Sequence, residues 1–159
     1  MASRATVTQL LAIFDQAYDR RSWHGPNLRG ALRGISARQA AWRPGPGRHN
    51  IWEITVHCAY WKYAAWRRLT GEKRGSFALR GSNWFRRPEK LTDAAWRADV
   101  ALLCEMHRTL RAAINSMTAG DLKRRRGRSP FDNAALIAGI AAHDLYHAGQ
   151  IQLIKRMRG

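Results

Sequence analysis

The run Leu136-Ile137-Ala138-Gly139-Ile140-Ala141-Ala142-His143-Asp144-Leu145-Tyr146-His147-Ala148-Gly149-Gln150-Ile151 decides the fold class. Leu136, Ile140, His143, His147, Ile151 and Ile154 recur every three or four residues, the period at which side chains share one face of an α-helix. His143 and His147 then lie one turn apart on that face, as two ligands offered to one metal ion would. With six histidines in 159 residues, a pair four apart arises in roughly one random shuffle out of four or five. The spacing therefore matters only if the rest of the chain places other ligands beside it.

Three further segments repeat the pattern. Val7, Leu10, Leu11, Phe14, Ala17 and Tyr18 predict an amphipathic first helix over about Thr6 to Arg20. Asn50-Ile51-Trp52-Glu53 has the form of a capping box, so a second helix is predicted from Ile51 to Leu69, with Gly71 ending it. Its apolar seam, Ile54, His57, Cys58, Trp61 and Ala65, includes a third histidine. A third helix is predicted to start after Thr92, with Leu91 stapled onto Trp96, and to run through Trp96, Val100, Leu103, His107, Leu110, Ile114 and Met117 to Gly120. Ser129-Pro130 is expected to cap and start the fourth, since proline is harmless where the N–H has no helical partner.

Between these lie connections. Ser22 to Arg48, rich in Gly and Pro with a short periodic piece at Leu28 to Leu32, reads as a long, partly helical connection between the first two helices and ends in Trp42-Arg43-Pro44-Gly45-Pro46-Gly47. Residues 72 to 90 read as a loop and a candidate lid, and Lys123-Arg124-Arg125-Arg126-Gly127-Arg128 as an exposed basic loop. Four amphipathic helices without a strand pattern predict an all-α four-helix bundle, forming one domain over residues 1–159.

Composition limits the function. A hydrophobic fraction of 45% with seven tryptophans can fill one core. No apolar run approaches the roughly 18 residues of a membrane span, and no secretory leader pattern opens the chain, so a soluble, cytoplasmic protein is expected. Cys58 and Cys104 read as reduced core thiols, because two cysteines make no disulfide framework at this length. The net charge of +17 admits a nucleic-acid partner. Arg20, Arg43, Arg67, Arg86, Arg108 and Arg156 are scattered along the chain, however, which favours a solvated basic surface.

His57, His143 and His147 fall on core-facing seams of two helices. Burying three imidazoles is costly unless their nitrogens find partners, and one divalent ion would satisfy all three. Three neutral imidazoles suit Zn, Ni or Fe and leave a coordination position open. His107 is on a seam too, but reads as a buried packing residue more than a fourth ligand; His24 and His49 lie in connections. His143-Asp144-x-x-His147 resembles a zinc-protease helix, yet that chemistry requires a Glu beside the metal, and Asp144 is one methylene short. Asp144, Glu53 and Gln150 are candidates to orient ligands or, equally, to face solvent.

On Trp42-Arg43-Pro44, Ile51-Trp52-Glu53-Ile54-Thr55-Val56-His57 and His143-Asp144-Leu145-Tyr146-His147-Ala148-Gly149-Gln150-Ile151, the chain resembles the DinB-like (DinB/YfiT) family of metalloenzymes over nearly its whole length. The resemblance implies an up-down-down-up four-helix bundle, often a homodimer, with metal held by one histidine of the second helix and two of the last. These match His57, His143 and His147. It also implies a metal-dependent enzyme acting on a small molecule, such as a thiol-dependent S-transferase using a low-molecular-weight thiol. The alternatives are a metal-dependent hydrolase, or a nucleic-acid-binding or stress-response module using the basic surface. Arg86 or Arg87 is a candidate anchor for an anionic thiol or substrate.

Overall fold

In the computed structural model, which describes residues 2–159 with side chains from Arg4 onward, all regular structure is helical. The elements are α1 (Ala2–Tyr18), α2 (Leu28–Leu32), α3 (Ala37–Ala41), α4 (Ile51–Thr70), α5 (Asp93–Asn115), α6 (Ala119–Leu122) and α7 (Asn133–Arg158). Four are long and three are single turns. Helix α4 packs on α5 and α7, and α1 packs on α7 and α5. Among the described residues, no helix is long and apolar enough to cross a membrane.

Helix α4 begins and ends where the sequence predicts. Asn50 Oδ1 accepts from the Glu53 N–H at 2.8 Å, and Glu53 Oε2 accepts from the Asn50 N–H at 3.3 Å. Gly71, at φ 85°, closes the helix through its N–H to the Arg67 carbonyl. That left-handed backbone favours glycine, and the Arg126 guanidinium fills the space where a Cβ would stand. Glu53 also receives the Arg43 guanidinium at 2.7 and 2.9 Å and lies 3.1 Å from His49 Nδ1. One buried carboxylate thus caps the helix and pins the Trp42-Arg43-Pro44 connection to it.

Several expectations need correction. The connection before α4 contains a second helical turn, α3, because Ser36 and Gln39 form a complete capping box. Leu91 is exposed, whereas the Trp96 indole is buried, packs edge-on to Trp52 and donates to the Ile35 carbonyl at 2.7 Å. Helix α5 stops at Asn115, short of Gly120, since Thr118 and Asp121 cap a separate turn, α6. Helix α7 starts at Asn133. Asp132 accepts from the Ala135 N–H at 2.8 Å and outcompetes Ser129-Pro130, whose hydroxyl closes a local turn with Phe131.

The interior comprises two apolar clusters. One joins Leu28, Ala40, the first half of α4 (Ile51 to Ala59), Trp96 and Leu103 of α5, and Ala148, Ile151 and Ile154 of α7. The other joins Val7 to Ala17 of α1, Ala65 and Leu69, Leu110 and Ile114, and Ile137 to Ala141. Between them the chain buries charge. Lys62 Nζ and Asp144 Oδ2 meet at 2.6 Å with both side chains 0% exposed. Asp144 therefore does not face solvent: α7 turns it inward toward a lysine of α4.

His107 is buried beside this pair and takes no part in the histidine cluster, consistent with a packing role. Its ring stacks on Phe14 and Tyr18, with centroids 4.5 and 3.5 Å away. Burial, reinforced by the charges of Lys62 and Arg111, pushes its pKa down to about 2. Below its unfolded value near 6.5 the unfolded chain takes up a proton that the folded chain refuses, so this group erodes stability as pH falls from about 6.5. Replacing His107→Phe is expected to flatten the acid limb of a stability-versus-pH curve by up to roughly 1.4 kcal/mol per pH unit between pH 6 and 4. Urea midpoints at stepped pH read this; an unchanged slope would refute it.

Candidate metal centre

Helix α4 presents His57 toward α7, and α7 presents His143 and His147 one turn apart. His143 Nε2 lies 3.1 Å from His57 Nε2 and 3.1 Å from His147 Nε2. Three nitrogens held by two helices therefore converge on one point. A tetrahedral ion with bonds of about 2.0–2.1 Å would set its nitrogen ligands roughly 3.3–3.4 Å apart, a few tenths of an ångström more than the two His143 separations, and all three ligand atoms lie within 4.8 Å of one another.

The tautomers sharpen this geometry. His57 Nδ1 lies 2.9 Å from the Asn83 carbonyl, which can only accept, so Nδ1 carries the hydrogen and Nε2 a lone pair. His147 Nδ1 faces Gln150 Oε1 at 2.7 Å, with the same consequence. His143 Nε2 has at most one hydrogen to offer two lone pairs in its neutral form. At least one of the contacts is then lone pair against lone pair, an arrangement that a bound cation reverses from repulsion to attraction. The donor set and its hydrogen bonding fit a divalent ion.

Electrostatics keep the rings in the ligating, neutral form. Burial lowers the pKa of His57 to about 4 and of His143 to about 3, with neighbouring histidines pushing His143 further, and burial also lowers that of His147. His57 and His147 are buried, and His143 is half-buried.

The orienting residues differ from those the sequence offers. Gln150 does hold His147. Glu53 is committed to Arg43, His49 and the helix cap and does not reach His57. Asp144 turns to Lys62, leaving its Oδ1 and His143 Nδ1 each buried without a hydrogen-bond partner. The group that fixes His57 is Asn83, in the loop after α4 at φ 64°, a left-handed conformation that asparagine tolerates. Its side chain accepts from the Trp61 indole at 2.9 Å.

The same loop supplies Trp84, stacked on His57 at 3.8 Å and on His49 at 3.6 Å. The segment read as a candidate lid thus lies over one side of the cluster, and His49, placed in a connection by sequence, is brought to its edge. No periodicity marks Asn83 or Trp84; their place inside the stretch of residues 72 to 90, read as a loop and candidate lid, was the available signal. Arg87 is not free to anchor a ligand, because Asp99 and Glu89 bind its guanidinium. Arg86 is exposed. His24 is exposed in the connection after α1. Cys58 is a buried free thiol, pushed to high pKa by burial, and Cys104 is free and half-buried. Cys58, His143 and Asp144 also place ligand atoms within 4.8 Å of one another, but the Lys62 ammonium occupies the carboxylate of that group.

The sequence model described as the DinB superfamily matches residues 19–151, a span containing all three histidines, Asn83 and Gln150. Neither the curated proteins nor the solved structures provide a match.

Proposed function

The chain belongs to the DinB superfamily, and from that premise we propose that it is a metal-dependent enzyme with a divalent ion held by His57, His143 and His147. The observation that carries this reading is the pair of Nε2 lone pairs, fixed by Asn83 and Gln150, that face the nitrogen of His143. We take α1, α4, α5 and α7 as an up-down-down-up bundle. The two apolar clusters support this: the first halves of α4 and α5 share one cluster with the end of α7, and their second halves share the other with the start of α7.

Within the enzyme class we favour a thiol-dependent transferase. Three neutral ligands leave an ion strongly electrophilic, and such an ion would supply Lewis acidity that lowers the pKa of a thiol at its open position. A hydrolase needs a free base beside that position, whereas Asp144 is bound by Lys62 and Glu53 by Arg43. The chain's own contribution is to hold the three rings, fix their tautomers from Asn83 and Gln150, and shield His57 from water with Trp84. Loading the protein with Co(II) and titrating a low-molecular-weight thiol tests the choice. A sulfur-to-cobalt charge-transfer band should appear; a spectrum indifferent to thiols, together with turnover of an ester or amide, would replace the transferase with the hydrolase.

A further inference from the structure

We propose that the cleft running along α7 from His143 is a binding groove for a small carboxylic acid with an aromatic or alkyl body. This rests on the metal-enzyme reading for its purpose, but its structural basis is separate. The cleft holds about 260 Å³ and is lined by Trp61, Arg68, Phe131, Leu136, Gly139 and His143, among others. One end therefore touches the candidate metal centre. The larger hollow of about 960 Å³ around Asp19 to Gly34 is lined by the α1–α2 connection, α2 and Gln152 of α7 and reaches none of the three histidines.

Three features define the occupant. The walls are chiefly apolar, and Phe131 exposes 64% of its surface at the cleft although nothing in the fold requires an aromatic there. Arg68 lies over the Trp61 ring at 5.7 Å and has no carboxylate partner among the described residues, so its guanidinium is free for an anion. Gly139 sits in mid-helix, where glycine costs helix stability, and a Cβ there would meet no atom within 4 Å. A Cβ there would stand in open space, so a longer side chain would project into the groove. At about 30 Å³ per water the volume equals that of roughly nine waters, enough to seat a ligand body of about ten non-hydrogen atoms.

The probe is 3-phenylpropionate, titrated into zinc-loaded protein and followed by calorimetry and amide chemical shifts, with 3-phenylpropanamide as its uncharged counterpart. The acid should bind more tightly than the amide and shift amides around Ala135 to His143. Gly139→Leu, which fills the groove and improves helix propensity, should abolish binding while leaving the zinc content unchanged. Arg68→Gln should weaken the acid roughly three- to five-fold, as expected for an exposed ion pair, and leave the amide unaffected. Binding that survives Gly139→Leu, or no binding to the wild type, overturns the groove. Zinc content, measured on the same samples, reports separately on the metal reading, and chelator-treated protein should still bind the acid.

Discussion

Lys62→Met is expected to destabilise the protein by about 3–5 kcal/mol, the cost of leaving a buried carboxylate without its partner. The pair is sealed: Lys62 and Asp144 are both 0% exposed, 2.6 Å apart, with the ammonium 4.7 and 5.0 Å from the Phe14 and Tyr18 ring centres. Burial pushes the Asp144 pKa up and the nearby ammonium opposes the rise, so the ionised carboxylate depends on Lys62. Its Oδ1 already lacks a hydrogen-bond partner. Removing the ammonium would strand both oxygens. Total stabilities run to about 5–15 kcal/mol, so the loss should appear as a large fall in the urea midpoint. Lys62→Met/Asp144→Leu, which removes both charges and keeps apolar volume, should recover most of it. A single variant within about 1 kcal/mol of wild type would show that the pair is not the internal fastening between α4 and α7.

His57→Ala is expected to lower divalent-metal affinity by more than about 100-fold, since the loss of a direct ligand exceeds the roughly 10- to 100-fold cost of losing an orienting partner. Gln150→Leu provides the graded comparison. It leaves all three nitrogens in place but releases His147 from the tautomer that aims Nε2 at the cluster, so a fall of about tenfold is expected. Competition against a chromophoric chelator would rank the three proteins. Equal affinities for wild type and His57→Ala would remove α4 from the site.

Long periodic segments were legible because burial of one face imposes a period on the sequence. Helix α4 shows this at both ends, where Asn50, Glu53 and Gly71 act as written. The short turns α3 and α6 were missed because each is created by a single capping box, with too few residues for a period. The three histidines were legible for the opposite reason: polar rings on apolar faces are costly and so conspicuous. Lys62 had the same visibility, four residues after Cys58 on the inward side of α4, but a long side chain can reach solvent from such a position and reads as exposed. Only packing against Asp144 shows that it does not. Asn83 and Trp84 act from a loop, across 26 and 27 positions in sequence from His57, and tertiary contact alone brings them there.

The most direct test of the central claim is elemental analysis of the purified protein by inductively coupled plasma mass spectrometry, beside a folded His147→Ala variant. One site built from three imidazoles predicts about one divalent ion per wild-type chain, retained through gel filtration, and a small fraction of that in the variant. A wild-type protein that stays metal-free after incubation with Zn(II), Ni(II) and Fe(II), or a variant that keeps its full complement, would contradict it.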